Sequence, residues 1–467
     1  TGLANIVAMC DVDPKSKGSQ ESIAAHPDAK VYTDFRKMFD EMGSKFEAVV
    51  VETPDFSHFP CVMLALNQGK HVYVEKPMGR TFYECELMIQ AAKRNPHLVT
   101  QGGNQGHSDR NYYQFKAWTE AGIIKNVTHV DAHMNNSRRW HGYDVNIDRY
   151  PQAEPIPDGM DWDLWHTTQQ FHEFNPKYHP GNWRSWYDFG MGALGDWGAH
   201  LIDTIHEFLD LGLPYEITPI KLDGWNTYFF PMSSTINFKF PRRGEMPAMD
   251  ITWWDGIGNY PPIPEGFGES KMGADVPTIG GQSAAASAVK INPGTIMYSD
   301  ELIFKRGSHG AITQIIPEAK AKEMAKEWMT LADAGDHYSL SFGNKESWSQ
   351  KYNMVWDKLM GWEIFPEEVK QKELAYYLTK QNQYGLPLDS RRNYTKSDWI
   401  MWTATLADDH ETFMKFVQPI YDFANETTDR IGLTDWYNTD SDKRVGFEAR
   451  PVLGGFYIKM LEEKFSK

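Results

Sequence analysis

Short apolar runs alternate with polar, helix-patterned stretches along the first hundred residues. Asn5-Ile6-Val7-Ala8-Met9-Cys10 ends in Asp11-Val12-Asp13, Phe46-Glu47-Ala48-Val49-Val50-Val51 leads to Thr53-Pro54-Asp55, and His71-Val72-Tyr73-Val74 runs into Glu75-Lys76-Pro77. Runs this short and apolar predict strands buried on both faces. Between them, Thr33-Asp34-Phe35-Arg36-Lys37-Met38-Phe39 and the stretch from His58 to Gln68 predict helices. Strict alternation of the two predicts a parallel, doubly wound α/β sheet of the Rossmann type. Ligands of such sheets sit beyond the carboxyl ends of the strands. Asp11, Thr53, Glu75 and Lys76 fall there, and Pro54 and His58 complete the candidate cofactor edge.

A dinucleotide fold also needs an opening strand and a G-x-G-x-x-G turn, whose backbone N–H groups hold the pyrophosphate. Here the first strand already ends in Asp11, an acid of the ribose-binding kind. Gly102-Gly103-Asn104-Gln105-Gly106 comes late, after a strand predicted over His97 to Thr100. The expectation is an N-terminally truncated Rossmann-like domain over residues 1–122.

From Val127 the pattern becomes strict alternation, as in Val127 to Met134, Ser234 to Phe240, Met249 to Trp254 and Glu301 to Lys305. That predicts an α+β domain, residues 123–320, with a large open antiparallel sheet. It carries a Pro-, Trp- and His-rich insertion over 140–190 and a Gly/Pro/Ser/Ala-rich surface excursion over 255–295. After Pro317 the runs turn helical, which predicts an all-α segment over 321–467.

Composition narrows the function. A formal charge of −16 over 467 residues repels nucleic acid and anionic membranes. No apolar run approaches the roughly 18 residues a membrane span needs. The expected partner is therefore a small neutral molecule, with no nucleic acid and no membrane. The reading is of a soluble protein, cytoplasmic or periplasmic, and with Thr1 in first place the native N-terminus is expected to lie upstream. Three cysteines, Cys10, Cys61 and Cys85, give neither paired spacing nor C-x-x-C, so they predict small buried hydrophobes rather than a disulfide or zinc framework. Seventeen tryptophans favour stacking on sugar rings, with core packing as the commoner fate.

Candidate chemistry lies in two distant segments. Lys76 closes a buried strand, and Gly195-Asp196-Trp197-Gly198-Ala199-His200 places Asp196 and His200 one helical turn apart. An ammonium, a carboxylate and an imidazole suffice to take a proton from a hydroxyl while hydride leaves the same carbon. The bland alternative is a helix start with a surface charge pair. His200 with Asp203 offers too few ligands for a metal, and none is expected. Trp183 and Arg184, ahead of Gly190-Met191-Gly192, are candidates for the cofactor crevice, with an Arg184–Asp188 loop salt bridge as the alternative. Asn104, Gln105 and His107 follow a strand tip on the same rim, the first two as cofactor contacts and His107 as a substrate contact. His166, His172 and His179 show no ligand spacing and read as polar loop residues.

Glu75-Lys76-Pro77 together with Gly195 to His200 resembles the Gfo/Idh/MocA family over residues 1 to about 320. The resemblance implies an oxidoreductase using NAD(P) on a sugar, inositol or related polyol. Lys76 would bond the reacting hydroxyl, His200 would serve as general base, and Asp196 would bind substrate or tune the imidazole. Asp11 favours NAD over NADP, because a carboxylate accepts from a ribose 2′-hydroxyl and repels a 2′-phosphate. Homo-oligomers paired through the open sheet are implied as well, and a family variant cleaves glycosides with bound NAD. The tail is similar to the glutaminase A-type family, through Asp336-His337-Tyr338, Trp348 to Asn353, Tyr384 to Arg391, Tyr394 to Trp399, Thr434 to Tyr437 and Arg450 to Gly455. That similarity implies an (α/α)-toroid-like arc and an amidase as the alternative activity, with Asp336, Asp398 and Asp435 as carboxylates of open role. A third reading is an inactive junction of two partial frames.

Overall fold

The computed structural model describes residues 4–135, 145–267, 292–429, 434–448 and 451–465. Most of the predicted excursion at 255–295 lies outside them. The chain groups into two compact units, one running to Pro264 and resuming as far as Thr313, the other holding Gln314 onward with a short stretch from Glu265.

In the first unit, β1 (Ala8–Cys10), β2 (Lys30–Tyr32), β3 (Ala48–Val51), β4 (His71–Glu75) and β5 (Thr100–Gly103) alternate with α1 (Lys17–Ala25), α2 (Phe35–Met42), α3 (His58–Asn67) and α4 (Phe82–Arg94). The local sequence explains the helix starts. Asp34 accepts from the Arg36 N–H at the head of α2, and Thr81 with Glu84 forms a reciprocal capping box on α4. Met38, Phe39, Val51, Val62, Ala65, Leu66, Val72, Val74 and Met88 form the core under the strands, with Cys61 buried among them and Cys10 packed against it. Each large apolar side chain buried there contributes roughly 1.5–3 kcal/mol.

The parallel pairing falls into two ladders, β1–β2 and β3–β4–β5. Among the described residues no strand joins β1 to β3, and Val50 on β3 stays 61% exposed. In the usual doubly wound order the opening strand lies between those two. The last strand is shifted from the expected His97–Thr100 and contains both glycines. A Cβ at Gly103 would sit within 2.7 Å of the Glu75 Oε1 and would also strike the Tyr73 hydroxyl, so close strand packing, not a turn, accounts for glycine there.

The same unit continues with α5 (Arg110–Glu120), β6 (His129–Met134), α6 (Trp162–His166), α7 (Gly192–Phe208), β7 (Glu216–Asp223), β8 (Ser233–Phe240), β9 (Met249–Asp255), β10 (Gly294–Tyr298) and β11 (Ile303–Gly307). These strands run in the order β11-β10-β6-β9-β8-β7, antiparallel except for the parallel β6–β9 pair. Helix α7 buries Leu201 and Ile205 completely, and β7 at the edge leaves Ile217 and Ile220 exposed. The described part of the insertion folds into an aromatic core of Trp162, Trp165, Phe174, Tyr178, Trp183, Trp186 and Phe189 around Phe56. Phe56 lies 5.0 Å from Trp165 and 5.8 Å from Trp183, ring centre to ring centre. That contact pins the insertion to the turn after β3, and much of the tryptophan excess is spent on packing.

The second unit holds α8 (Glu318–Ala332), α9 (Met354–Met360), α10 (Glu367–Leu378), α11 (Ser397–Thr405), α12 (His410–Glu426) and α13 (Ile458–Phe465). Val355, Val369, Tyr377, Leu386, Ile400, Ala404 and Phe416 form its core. The unit is helical as expected, with one small addition. Tyr394–Lys396, Trp436–Asn438 and Arg444–Gly446 pair as a small antiparallel sheet, in which Tyr437 is fully buried and stacks at 3.8 Å on Phe423. Three-residue strands are too short to show a period in sequence.

Candidate active site

The turn after β4 and the first half of α7 form the centre. Lys76 Nζ donates to Asp196 Oδ1 at 2.9 Å and to the Asp196 carbonyl at 2.7 Å. Both side chains are largely removed from solvent, Asp196 almost entirely. Arg184 brings Nε to 3.4 Å from the same carboxylate oxygen and lies 4.2 Å above the Trp183 ring. The expected alternative, Arg184 on Asp188, is not formed. Asp188 instead accepts from the Tyr150 hydroxyl and meets His172 Nε2, each at 2.6 Å. Gly190 makes the approach feasible, since a Cβ there would fall on the Arg184 carbonyl. One buried carboxylate thus faces two cations, an arrangement that fixes an ammonium rather than leaving it to sweep through solvent.

His200 follows one turn later. Its ring stacks on His309 at 4.1 Å and meets the edge of Trp197 at 5.9 Å. Burial, then the Lys76 ammonium, then His309 push its pKa down to about 3, against weaker upward pulls from Asp196 and a backbone hydrogen bond to Gln105. The ring is therefore neutral near pH 7. Nδ1 is buried and has no hydrogen-bond partner. A neutral imidazole keeps one nitrogen as an acceptor, which is what a general base requires.

The loop after β5 closes over this helix. Asn104 Nδ2 donates to the Ala199 carbonyl at 3.0 Å, leaving its Oδ1 buried and unpartnered. Gly106, at φ +89°, has no room for a Cβ against the Gly310 backbone, so the Gln105 segment lies directly on the His309 turn. His107 Nδ1 is 2.8 Å from Asp203 Oδ2.

The remaining predicted residues lie around the strand tips. His58 is 1% exposed; its Nδ1 and Nε2 each lie 2.7 Å from a carbonyl, of Pro77 and of Thr53. It ties the two strand-tip loops together and offers no spare ring nitrogen to a ligand. Trp183 is likewise buried and acts as a floor for Arg184. The Pro54 carbonyl accepts from Ser57 in the short turn beyond β3. Glu75 accepts from the Tyr73 hydroxyl at 3.0 Å and the Lys76 N–H at 3.3 Å. At the end of β1, Asp11 accepts from the Asp13 N–H at 2.8 Å and from Ser19 Oγ at 2.6 Å. Its four lone-pair positions still admit a ribose hydroxyl.

Two residues of the site were not anticipated. Asp55, 3% exposed with Oδ2 unpartnered, has its pKa raised by burial, with Arg184, His58 and Lys76 opposing and Asp196 adding. It follows a strand tip, like Thr53, and the same positional rule would have found it. His309 comes from the turn after β11, and no sequence signal connects it to His200. Among the described residues, no group of three His, Cys, Asp or Glu side chains is placed to hold a metal ion.

The nicotinamide and ribose ends of a dinucleotide fit these residues, through Lys76, Asn104 with its orphaned Oδ1, and Asp11. Gly190 to Gly195 heads α7 but follows no strand, so among the described residues no strand–G-x-G-x-x-G–helix turn is formed to cradle a pyrophosphate.

Fold and site together define a dinucleotide-fold region. Residues 2–102 match the oxidoreductase family model with NAD-binding Rossmann fold, Gfo/Idh/MocA, and residues 114–223 match that family's C-terminal alpha/beta domain. Residues 315–460 match the glutaminase A six helical-hairpin domain. Inositol 2-dehydrogenase of Salmonella typhimurium is 28% identical over 149 residues, 32% of this chain and 42% of that protein. Glutaminase A of Aspergillus oryzae is 34% identical over 148 residues, 30% of this chain and 21% of that protein. An NAD-binding protein from Listeria innocua aligns in structure over 66% of this chain and 67% of its own, at 17% identity and a TM-score of 0.41. The chain spans less than half the length of the curated relatives it matches.

Proposed function

We propose that the first unit is an NAD(P)-dependent oxidoreductase that oxidises a secondary hydroxyl of an inositol, a sugar or a related polyol. The observation that carries this reading is His200 Nδ1, a buried and unpartnered ring nitrogen one helical turn from a carboxylate that holds Lys76 in place. Lys76 stabilises negative charge developing on the substrate oxygen, and His200 accepts its proton. Bound NAD supplies the hydride acceptor. Arg184 steadies Asp196, Asp55 adds a carboxylate within the field of Lys76 and Arg184, and Asn104 and Gln105 shape the cofactor side. The cofactor edge belongs to residues 1–122 and the substrate wall to 123–320. Asp11 favours NAD, and the exposed apolar side chains of β7 suit pairing of two copies through the open sheet. No helix among the described residues is long and apolar enough to cross a membrane.

A second reading, amidase activity in the tail, is favoured by its similarity to glutaminase A. Its candidate carboxylates sit in different settings. Asp336 is largely exposed beside His337, Asp435 is fully buried at 3.1 Å from Lys396 Nζ, and Asp398 is buried on α11. Incubation with NAD and a panel of inositols and sugars tests the first reading. NADH should accumulate with at least one polyol; none with any of them contradicts it.

A further inference from the structure

We propose that His107, held by Asp203, is the station through which the proton taken up by His200 leaves the site. The inference rests on the oxidoreductase reading above. A base boxed in by Lys76, His309 and Trp197 is a poor place to keep a proton, because its charged form is both desolvated and repelled. Turnover therefore needs a second acceptor close by with an outward lone pair. The loop that encloses His200 provides one. Gly106 seats the Gln105 segment against the His309 turn, Asn104 grips the Ala199 carbonyl, and the His107 N–H closes the turn on the Asn104 carbonyl at 3.2 Å.

The tautomer of His107 follows from its partner. A carboxylate only accepts, so Nδ1, 2.8 Å from Asp203 Oδ2, carries the hydrogen and Nε2 is left as the acceptor. The His107 side chain is 40% exposed, whereas Asp203, three residues beyond His200 on α7, is 25% exposed. Further inside is Arg306, wholly removed from solvent, whose Nη2 donates to the Leu201 carbonyl at 2.7 Å and whose charge interacts with Asp203. Its Nε and Nη1 have no hydrogen-bond partner. A fixed cation inside and a carboxylate between thus hold the imidazole at the surface with Nε2 left over. Tyr112 packs at a tilt against His107, ring centres 4.7 Å apart, and its hydroxyl is committed to Glu207 at 2.8 Å, which holds the ring without competing for Nε2.

The step is balanced. The proton leaves His200 Nδ1, crosses by water in the cleft, bonds to His107 Nε2 and passes to a buffer base. No electrons move, and the Nδ1–H to Asp203 bond is kept throughout. His107 acts through His200, as a positioning and relay residue.

The test uses the full chain and His107→Gln, which keeps an amide N–H for Asp203. In dilute buffer, polyol turnover by the variant should fall roughly tenfold and recover as free imidazole is added, with NADH affinity unchanged. Unchanged turnover in dilute buffer overturns the proposal, as does a loss that imidazole does not restore. A readout independent of turnover is the nitrogen NMR of histidine side chains. His107 should carry its proton on Nδ1, and Asp203→Asn should shift it toward Nε2; a proton on Nε2 in the unaltered chain is the contrary result. If His200→Asn leaves turnover intact, the oxidoreductase reading itself fails. If it abolishes turnover while His107→Gln has no effect, only the relay fails.

Discussion

The buried contact between Lys76 and Asp196 bears on stability as well as on the chemistry proposed for it. With Lys76→Met, Asp196 loses its shorter ion pair while its carboxylate stays buried, so stability to denaturant should drop by about 3 kcal/mol. A loss under about 1 kcal/mol, the range of exposed pairs, would show that the two do not meet in a buried setting. His200 makes a second prediction through its depressed pKa. In the folded protein it resists protonation down to about pH 3, whereas unfolded it takes a proton near 6.5. The unfolded state therefore binds more protons between those values, and stability falls as pH drops through them, at up to roughly 1.4 kcal/mol per pH unit from this one group. His200→Asn should flatten that acid limb, as chemical denaturation at successive pH values will show. At this scale the sequence was informative where position alone implies chemistry. Lys76 ends a strand, and Asp196 and His200 share a helical face. Asp55 obeyed the same rule and was passed over, and His309 enters from a turn more than a hundred residues away.

Among the elements, parallel strands with continuous apolar runs were legible, and those with mixed composition were not. β7 carries Pro219, Lys221 and charged ends at an exposed edge, and β10 is short, so neither shows a clean period of two. The histidines of the insertion read as polar loop residues, yet His166 and His172 are buried by the aromatic cluster they help to assemble. One histidine marks the sheet itself. His129 on β6 lies 2.8 Å from Asp250 of β9 and 3.2 Å from Asp131. Burial lowers its pKa, but the two carboxylates outweigh this and raise it to about 9. A raised folded value stabilises fully below the unfolded 6.5 and is lost as pH rises through 9. His129→Asn should therefore be less stable than the unaltered protein at about pH 6 and indistinguishable from it above about pH 10. Equal destabilisation at both would rule out the charged pairing.

Across the whole molecule, the unit that carries the Lys76 site and the unit that begins at Gln314 have separate cores and separate relatives. The change of texture after Pro317 made that division legible, because alternation and helical runs bury different faces. The split of the parallel ladder at β1 and β3 was legible as well, from an opening strand that already ends in an acid. If redox chemistry is the function, the full chain should release no ammonia from glutamine above a heat-inactivated control. Release that disappears on removing residues 314–467 would instead place an amidase in the tail. The account depends most on His200 as the base. The measurement that bears on it directly is polyol-dependent NADH formation by the unaltered chain and by His200→Asn, with NADH affinity measured on both. Turnover lost with affinity retained is the predicted outcome; equal turnover in the two proteins would contradict it.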